Sequence, residues 1–409
     1  MAKPLNNETL AAALIDLVRK ADLQQIPDSM LDGQPLRHFP TLDLAVIAFP
    51  RNAPPVWANV LFSRDFPEGK IAETGDQAGP VQNVRYLADQ LNEDLDSFVW
   101  FPDCDWKALQ WQELYGQGEL SFVLPYPASL LKVMVLVGIA RLIDAGRYTW
   151  EQQWPHGGAS KSIAAWADSM IVASNNDATT ALVALLHAGE LIVRTNAGET
   201  NHLHSLFASY GLHTLRLADT QTDGGWRSAH GSGVGSHHMT AWDCARLLWL
   251  LTDEGAAAPW LPAGFAPLLS ADSRRRFWEF LGDQGLHEIL STTAIAGVPG
   301  WQPGIPARLP QRWIKEDGSV AVEHLAFPAD VRPQNAKADA SFAHKTGNTE
   351  NYASDAGLVQ GDGPNGRRYL IAMYSSLGRR YRPDVRCATD WRVPALSAAI
   401  DSWLADHLE

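Results

Sequence analysis

The sequence predicts an α+β fold in which an antiparallel sheet, flanked by helices from the two chain ends, is interrupted by an inserted helical lobe. Two observations predict it. Apolar, β-branched runs lie near both ends of the 409-residue chain, whereas helical periodicity dominates from Ser129 to about Glu254. The predicted strands are 42–49, 56–62, 120–124, 340–345, 356–360 and 369–374.

Helices are predicted at both ends and through the middle of the chain. Residues 7–20 form an amphipathic pattern that begins near Asn7, and a last helix is predicted over 394–407. The Pro- and Gly-rich segment 297–335 has no clear periodicity. The predicted inner helices are 129–145, 161–173, 177–188, 203–210, 239–253 and a helical piece around 271–290.

The chain is predicted to form a single catalytic domain of two lobes. The α+β lobe combines residues 1–125 and 340–409 and carries a Trp-rich insertion near 63–120, and the mainly helical lobe spans 126–339. A cleft between two such lobes commonly holds a functional site.

Composition excludes several classes of partner. The net charge is −13, whereas binding to nucleic acid or to an anionic membrane needs clustered Lys and Arg. The most apolar run, 130–142, is too short to span a bilayer. We therefore expect a small-molecule or peptide-like substrate, no nucleic acid and no membrane span.

No cofactor or metal is expected. Cys104, Cys244 and Cys387 are far apart and lack CxxC spacing, so they are interpreted as free thiols rather than as disulfides or zinc ligands. His202 and His204 have no acidic partner motif, which makes metal binding by this pair improbable.

The N-terminus does not resemble a secretion signal. Residues 1–20 lack a basic stretch followed by a long apolar stretch. The expected location is therefore cytoplasmic, with the periplasm or the exterior as the alternative if the chain is a mature form.

Ser129 and Lys132 form an SxxK pattern at the start of the most apolar helix. Positions i and i+3 share a helix face, so the hydroxyl and the amine can meet. Burial among apolar neighbours would lower the pKa of the lysine and let it act as a base toward Ser129. Alternatively, Ser129 only caps the helix and Lys132 extends its amine to solvent.

Two further triplets are candidates for substrate binding. Lys345-Thr346-Gly347 ends a predicted strand, where Lys345 offers positive charge and Gly347 allows close approach, although an ordinary strand end followed by a turn fits equally. Ser174-Asn175-Asn176 lies between two predicted helices. Its side chains can relay a proton and hold a carbonyl, or they can simply cap the second helix.

The order SxxK, SxN and KTG resembles the serine β-lactamases and penicillin-binding transpeptidases, most closely the class A β-lactamases. Residues 239–248 are similar to the helix after that family's Ω-loop, and 354–359 to the strand that follows KTG. The resemblance covers roughly 42–62 and 120–405, with insertions. It implies a β-lactamase/transpeptidase-like fold and a serine hydrolase.

The resemblance also implies a role for each matching residue. Ser129 would be the nucleophile, Lys132 its general base and Ser174 the carrier of a proton to the leaving group. Asn176 would hold a substrate amide. Lys345 and Thr346, on the strand that ends at Gly347, would bind a carboxylate, and the N–H groups of Ser129 and Asn348 would form the oxyanion hole.

The chain departs from the class A pattern at three places. Residues 219–238, which correspond to the Ω-loop, contain no Glu to position the deacylating water. Asp223, His230, His237 and His238 are alternatives, although a histidine in a Gly-rich loop is more often solvated. Asn175 stands where Asp is common. The Trp-rich residues 95–115 have no counterpart, and either pack against the sheet or wall an acyl pocket.

The expected function is that of a serine hydrolase that acts on an amide, β-lactam-like, or ester carbonyl through an acyl-enzyme on Ser129. The absence of a GxSxG elbow disfavours an α/β-hydrolase. The alternative is a catalytically silent module of the same fold that binds a ligand or a protein.

Overall fold

The computed structural model describes residues 5–94, 96–195, 198–226, 234–363 and 366–408. A six-stranded antiparallel sheet lies at its centre, with the strand order β4-β5-β6-β1-β2-β3. The strands are β1 (Leu42–Ala48), β2 (Val56–Ser63), β3 (Phe66–Ile71), β4 (Ala340–Asn348), β5 (Ala353–Gly361) and β6 (Arg368–Ser375).

Helices surround this sheet. The α-helices of the described residues are α1 (Asn7–Lys20), α2 (Lys132–Asp144), α3 (Ile163–Val172), α4 (Asn176–Ala188), α5 (His202–Ser209), α6 (Ala241–Leu250), α7 (Ala271–Gly282), α8 (Arg332–Asn335) and α9 (Arg392–His407). The predicted α+β class, with an antiparallel sheet flanked by terminal helices, is confirmed. Among the described residues, no helix is long and apolar enough to cross a membrane.

Short strands outside the central sheet form small ladders. Val84–Leu87 pairs with both Glu113–Tyr115 and Leu120–Val123 in a three-stranded sheet. The two-stranded ladders are Pro27–Asp28 with Gln34–Pro35, Gln153–His156 with Ala159–Ser162, Ile192–Thr195 with Gly198–Asn201, Arg216–Leu217 with His237–His238, and Val320–Val322 with Leu325–Phe327.

The central sheet is covered on both faces, which explains its long apolar runs. Alternate residues of a strand point to opposite faces, so Leu44 and Val46 pack with the terminal helices α1 and α9. Ala45 and Ile47 belong to the core of the helical segment instead. Strand β1 is consequently buried along its whole length.

The periodicity was misleading for two elements. The helix predicted around 271–290 ends at Gly282, because the chain turns there and the Gly285 N–H donates to the Val172 carbonyl 3.1 Å away. Strand β3 was not predicted, since its sequence includes Pro67 and Gly69 and most of its side chains are exposed at the sheet edge.

A buried ion pair fixes α9 to the sheet. The Arg367 guanidinium donates to both carboxylate oxygens of Asp401, at 2.6 and 2.7 Å, and the Tyr369 hydroxyl donates to the same carboxylate at 2.8 Å. Arg367 also pairs with Asp339. Removing one member of a buried pair leaves the other groups without their partner in a desolvated site.

We expect Asp401→Ala to lower the free energy of unfolding by about 3 kcal/mol, because Arg367 and Tyr369 would lose a buried acceptor. Urea denaturation measures the change. Asp406→Ala on the exposed side of the same helix is the matched control and should leave the midpoint almost unchanged. Equal effects of the two substitutions would contradict the role given to the ion pair.

Candidate active site

Ser129 lies in a single tight turn, Ala128–Leu131, that leads directly into α2. The turn is 3₁₀ rather than α-helical, and Ala128 adopts the left-handed region with φ 49°. Most of α2 is buried, whereas Ser129 itself is only half-buried. The hydroxyl is therefore held at the surface of a cleft by a rigid apolar helix.

Lys132 is buried, with 2% of its surface exposed, as the sequence predicts. Its amine contacts the Ser174 carbonyl oxygen at 2.5 Å, Asn176 Oδ1 at 2.9 Å and Ser174 Oγ at 3.1 Å. No hydrogen bond joins Lys132 to the Ser129 hydroxyl in the described part of the chain. The amine is thus fixed by the SxN triplet one helical turn away from the serine.

The SxN triplet forms the junction between α3 and α4. Ser174 has φ 56°, a conformation uncommon outside glycine, and Asn175 caps α4 by accepting a hydrogen bond from the Ala178 N–H at 2.9 Å. The capping interpretation is therefore correct for Asn175. It does not exclude the functional one, since Ser174 and Asn176 both contact Lys132.

Lys345 approaches the same hydroxyl from the opposite side. It lies on β4 with none of its surface exposed, and its amine donates to Ser174 Oγ at 3.0 Å and to the Thr346 carbonyl at 2.8 Å. The Ser174 hydroxyl consequently lies between two lysine amines. This position suits a group that passes protons between Lys132 and a leaving group.

The two lysines have lowered pKa values. Burial, and next the charge of Lys345, hold the pKa of Lys132 well below its usual value, while Glu323 acts in the opposite direction. Burial also lowers the pKa of Lys345 to about 7, opposed by the nearby Asp355 and Glu288. The lowered pKa increases the fraction of Lys132 whose amine is neutral, and a neutral amine has a lone pair that can accept a proton.

Gly347 allows β4 to lie against the turn that carries the serine. A Cβ atom at this position would be 2.5 Å from the Pro127 carbonyl oxygen and 2.8 Å from the Leu130 nitrogen. The Ser354 hydroxyl, on β5, also donates to the Pro127 carbonyl at 2.6 Å. Strand β4 and the nucleophile turn are thus in direct contact, which places Thr346 and Asn348 beside Ser129.

The cleft around Ser129 has two arms, each of about 730 Å³. Ser129, Asn176 and Asn348 line both. We call the first the aromatic arm; its lining includes Leu91, Asp96, Ser97, Tyr126, Leu131, Lys132, Trp226, Glu350 and Tyr352. We call the second the basic arm; its lining includes Ser174, Glu288, His324, Phe327, Thr346, Arg379, Arg382 and Arg386.

Four residues near the site were not singled out in the sequence. Glu323 accepts hydrogen bonds from Ser169 and from Asn175 Nδ2, the latter at 2.9 Å. It comes from the hairpin within the segment that showed no periodicity. Burial raises the pKa of Glu288 to about 7, and Asp355 is fully buried behind Lys345. Tyr352 follows β4 and faces the cleft.

None of the water-activating alternatives that the structure describes lines either arm of the cleft. His237 and His238 are buried, at 2% and 6% exposure, so the expectation of solvated histidines was wrong for both. The His238 ring contacts the Thr214 carbonyl at 3.0 Å, and His237 packs against Trp226. Asp223 is exposed at a turn. His230 lies outside the described residues.

Of the remaining sequence candidates, Cys387 lines the basic arm, whereas Cys104, Cys244 and His204 line neither arm. Cys104, Cys244 and Cys387 are free thiols. His204 accepts a hydrogen bond from the Leu217 N–H at 2.9 Å. Across the described residues, no group of three or more His, Cys, Asp or Glu side chains is arranged to hold a metal ion.

The chain is similar to solved structures of PBP-A and of class A β-lactamases. PBP-A is similar at 15% identity, with a TM-score of 0.46 and coverage of 100% of this chain and 97% of that one. The TLA-1 extended-spectrum β-lactamase is similar at 13%, with a TM-score of 0.48 and coverage of 98% and 100%. A representative class A β-lactamase from Bacteroides cellulosilyticus is similar at 13%, with a TM-score of 0.49 and coverage of 98% and 99%.

By sequence, no family model and no curated protein matches the chain. Identities of this size do not identify a reaction. The chemistry has to be judged from the side chains of the cleft.

We expect Gly347→Ala to slow any reaction at Ser129 at least tenfold, because the added Cβ would overlap the backbone of the serine turn and push β4 away. Labelling of Ser129 by a fluorophosphonate, followed over time, measures the rate. Gly282→Ala is the matched control, since a Cβ there meets nothing within 4 Å. Equal rates in both variants would show that the close approach of β4 is unimportant.

Proposed function

We propose that this chain is a serine hydrolase that attacks an amide or ester carbonyl with the Ser129 hydroxyl and forms an acyl-enzyme. The observation that carries the proposal is the Ser174 hydroxyl held between the Lys132 and Lys345 amines beside Ser129. The motif resemblance to serine β-lactamases and penicillin-binding proteins supports the same reaction. A module that only binds ligands has no physical need for two buried lysines at one hydroxyl.

Acylation would proceed from a neutral Lys132. The Ser129 oxygen bonds to the substrate carbonyl carbon. The proton of the Ser129 hydroxyl passes to the Lys132 amine, one helical turn away. The negative oxygen that develops lies toward the N–H groups of Ser129 and Asn348. When the C–N or C–O bond breaks, the leaving atom takes a proton from the Ser174 hydroxyl, which regains one from Lys132.

The two arms would receive the two parts of the substrate. Lys345 and Thr346 would bind an acidic group of the leaving part in the basic arm, where Arg379, Arg382 and Arg386 add positive charge. Asn176 would hold the acyl part from the other side. A leaving group with a carboxylate therefore suits the cleft better than a neutral or cationic one.

Hydrolysis of the acyl-enzyme would be slow. Residues 219–238 contain no Glu, and both His237 and His238 are buried away from Ser129. Water in the cleft then lacks the base that class A enzymes place on their Ω-loop. We propose an acyl-enzyme that persists long enough to be detected.

The decisive experiment is the intact mass of the protein after exposure to penicillin and, separately, to a fluorophosphonate. We expect a covalent adduct on Ser129 that is lost in Ser129→Ala, and slow disappearance of the penicillin adduct. Thermal melting of both proteins checks that the variant is folded. If neither reagent gives an adduct or turnover, the hydrolase proposal is wrong and the ligand-binding alternative is favoured.

Lys132→Ala should lower the acylation rate by a factor on the order of 10²–10⁴, the usual effect of a positioned base. Lys337→Ala, at an exposed lysine far from the cleft, is the control and should change the rate less than twofold. Similar rates in both variants would contradict the role of Lys132.

The pH dependence provides a second measurement of the same residue. Because the pKa of Lys132 is lowered, its neutral form is already present near neutral pH, and the acylation rate should fall only as pH drops through that lowered value. A neutral reagent removes the direct charge interaction between Lys345 and the substrate. A rate that still rises tenfold per unit between pH 7 and 9 would indicate a lysine of ordinary pKa.

A further inference from the structure

The Trp-rich insertion reaches the catalytic cleft through one turn. The Asn92 N–H donates to the Asp96 carbonyl at 2.9 Å, and the Asp96 N–H donates to Asn92 Oδ1 at 2.8 Å, which closes the turn. Leu91, Asp96 and Ser97 then line the aromatic arm, together with Ser129 and Lys132. The insertion therefore supplies part of the wall that a bound acyl group would contact.

A buried hydrogen-bond network fixes this wall to the substrate-binding strand. The Tyr352 hydroxyl donates to Asp89 Oδ2 and is also hydrogen-bonded to Ser97 Oγ. Trp100 Nε1 donates to the same Asp89 oxygen at 3.0 Å. All four side chains are more than nine-tenths buried. Because Tyr352 lies four residues after the end of β4, these hydrogen bonds hold the insertion in a fixed position relative to the cleft.

The insertion also has its own support away from the cleft. Its small sheet packs Val84 and Phe122 against Leu61 and Phe66 at the edge of the central sheet. Trp106 Nε1 donates to the Val99 carbonyl at 2.8 Å. The segment therefore packs against the sheet through Val84 and lines the cleft through Asp96 and Ser97, whereas its role in an acyl pocket stays a prediction.

The lining of the aromatic arm favours neutral aromatic groups. The rings of Tyr126 and Tyr352 are 5.7 Å apart in an edge-on arrangement, and Trp226 and Leu131 add further apolar surface. Two acidic side chains, Asp96 and Glu350, line this arm. Among the described residues, Lys132 is the only cationic side chain that lines it. An anionic acyl group would meet like charge there, whereas the basic arm attracts it.

We propose that the insertion forms an acyl-binding subsite for bulky, neutral aromatic acyl groups, in which Leu91 contacts the acyl group and the Asp89–Tyr352 contact positions the wall. This inference rests on the proposed function, because an acyl group enters the arm only by transfer to Ser129. The arm volume of about 730 Å³ is ample for a phenyl ring and its linker.

The test uses thioesters that share one leaving thiol and differ in the acyl group: 3-phenylpropanoyl, acetyl and succinyl. Their second-order rate constants for acylation of Ser129 are measured by thiol release and intact mass. We expect the 3-phenylpropanoyl thioester to react at least tenfold faster than the acetyl thioester. The succinyl thioester should react more slowly than the 3-phenylpropanoyl thioester by a still larger factor.

Two variants connect this preference to the insertion. Leu91→Ala removes a half-buried side chain of the arm, and Tyr352→Phe removes the hydroxyl that bonds Asp89 and Ser97. Each should reduce the 3-phenylpropanoyl to acetyl ratio at least fivefold. Leu109→Ala, a similarly half-buried leucine of the insertion outside the arm, should leave the ratio within twofold of the original.

The outcomes distinguish failure of the subsite proposal from failure of the proposed hydrolase reaction. Equal rates for the acyl groups, or a ratio unchanged in Leu91→Ala and Tyr352→Phe, overturns the subsite even though a fluorophosphonate still labels Ser129. If no thioester acylates Ser129 although the fluorophosphonate labels it, the subsite proposal is overturned as well. Absence of any label on Ser129 overturns the proposed function as well. Because Leu91 is partly exposed, its variant remains informative if Tyr352→Phe does not fold.

Discussion

The arrangement of the cleft depends on one constraint: two buried lysine amines share the hydroxyl of Ser174. Burial disfavours the charged form of both amines, and the charge of Lys345 further lowers the pKa of Lys132. The pKa of Lys132, packed in an apolar helix, is held well below its usual value. The same burial that stabilises α2 thus lowers the pKa of an amine one helical turn from Ser129.

Three elements that are distant in sequence have to meet for this arrangement to form. The nucleophile turn contacts β4 through Gly347, while the junction of α3 and α4 places Ser174 between the lysines. Two residues, Ala128 and Ser174, occupy left-handed backbone conformations that only surrounding structure can hold. The hairpin that carries Glu323 and the core around α2 provide that structure. Local strain at the cleft is therefore maintained by packing elsewhere.

Charge is distributed unevenly across the cleft. The chain as a whole has a net charge of −13. Asp96 and Glu350 line the aromatic arm, whereas three arginines line the basic arm together with the acidic Asp177 and Glu288. Such a contrast would orient a substrate that is anionic at one end and aromatic at the other. Residues outside the SxxK, SxN and KTG motifs supply it, and variation of such residues is the usual way in which one fold accepts different substrates.

The sequence by itself determined the α+β class and brought together Ser129, Lys132, Ser174 and Lys345 as candidates, because apolar periodicity and short motifs are local properties. Residue roles remain predictions. Only the tertiary structure revealed Glu323 beside Asn175, the Asp89–Tyr352 contact, and the burial of His237. Each depends on residues far apart in the chain, and local patterns do not encode which distant surfaces meet. For the same reason, the end of α7 at Gly282 and edge strand β3 were not predicted.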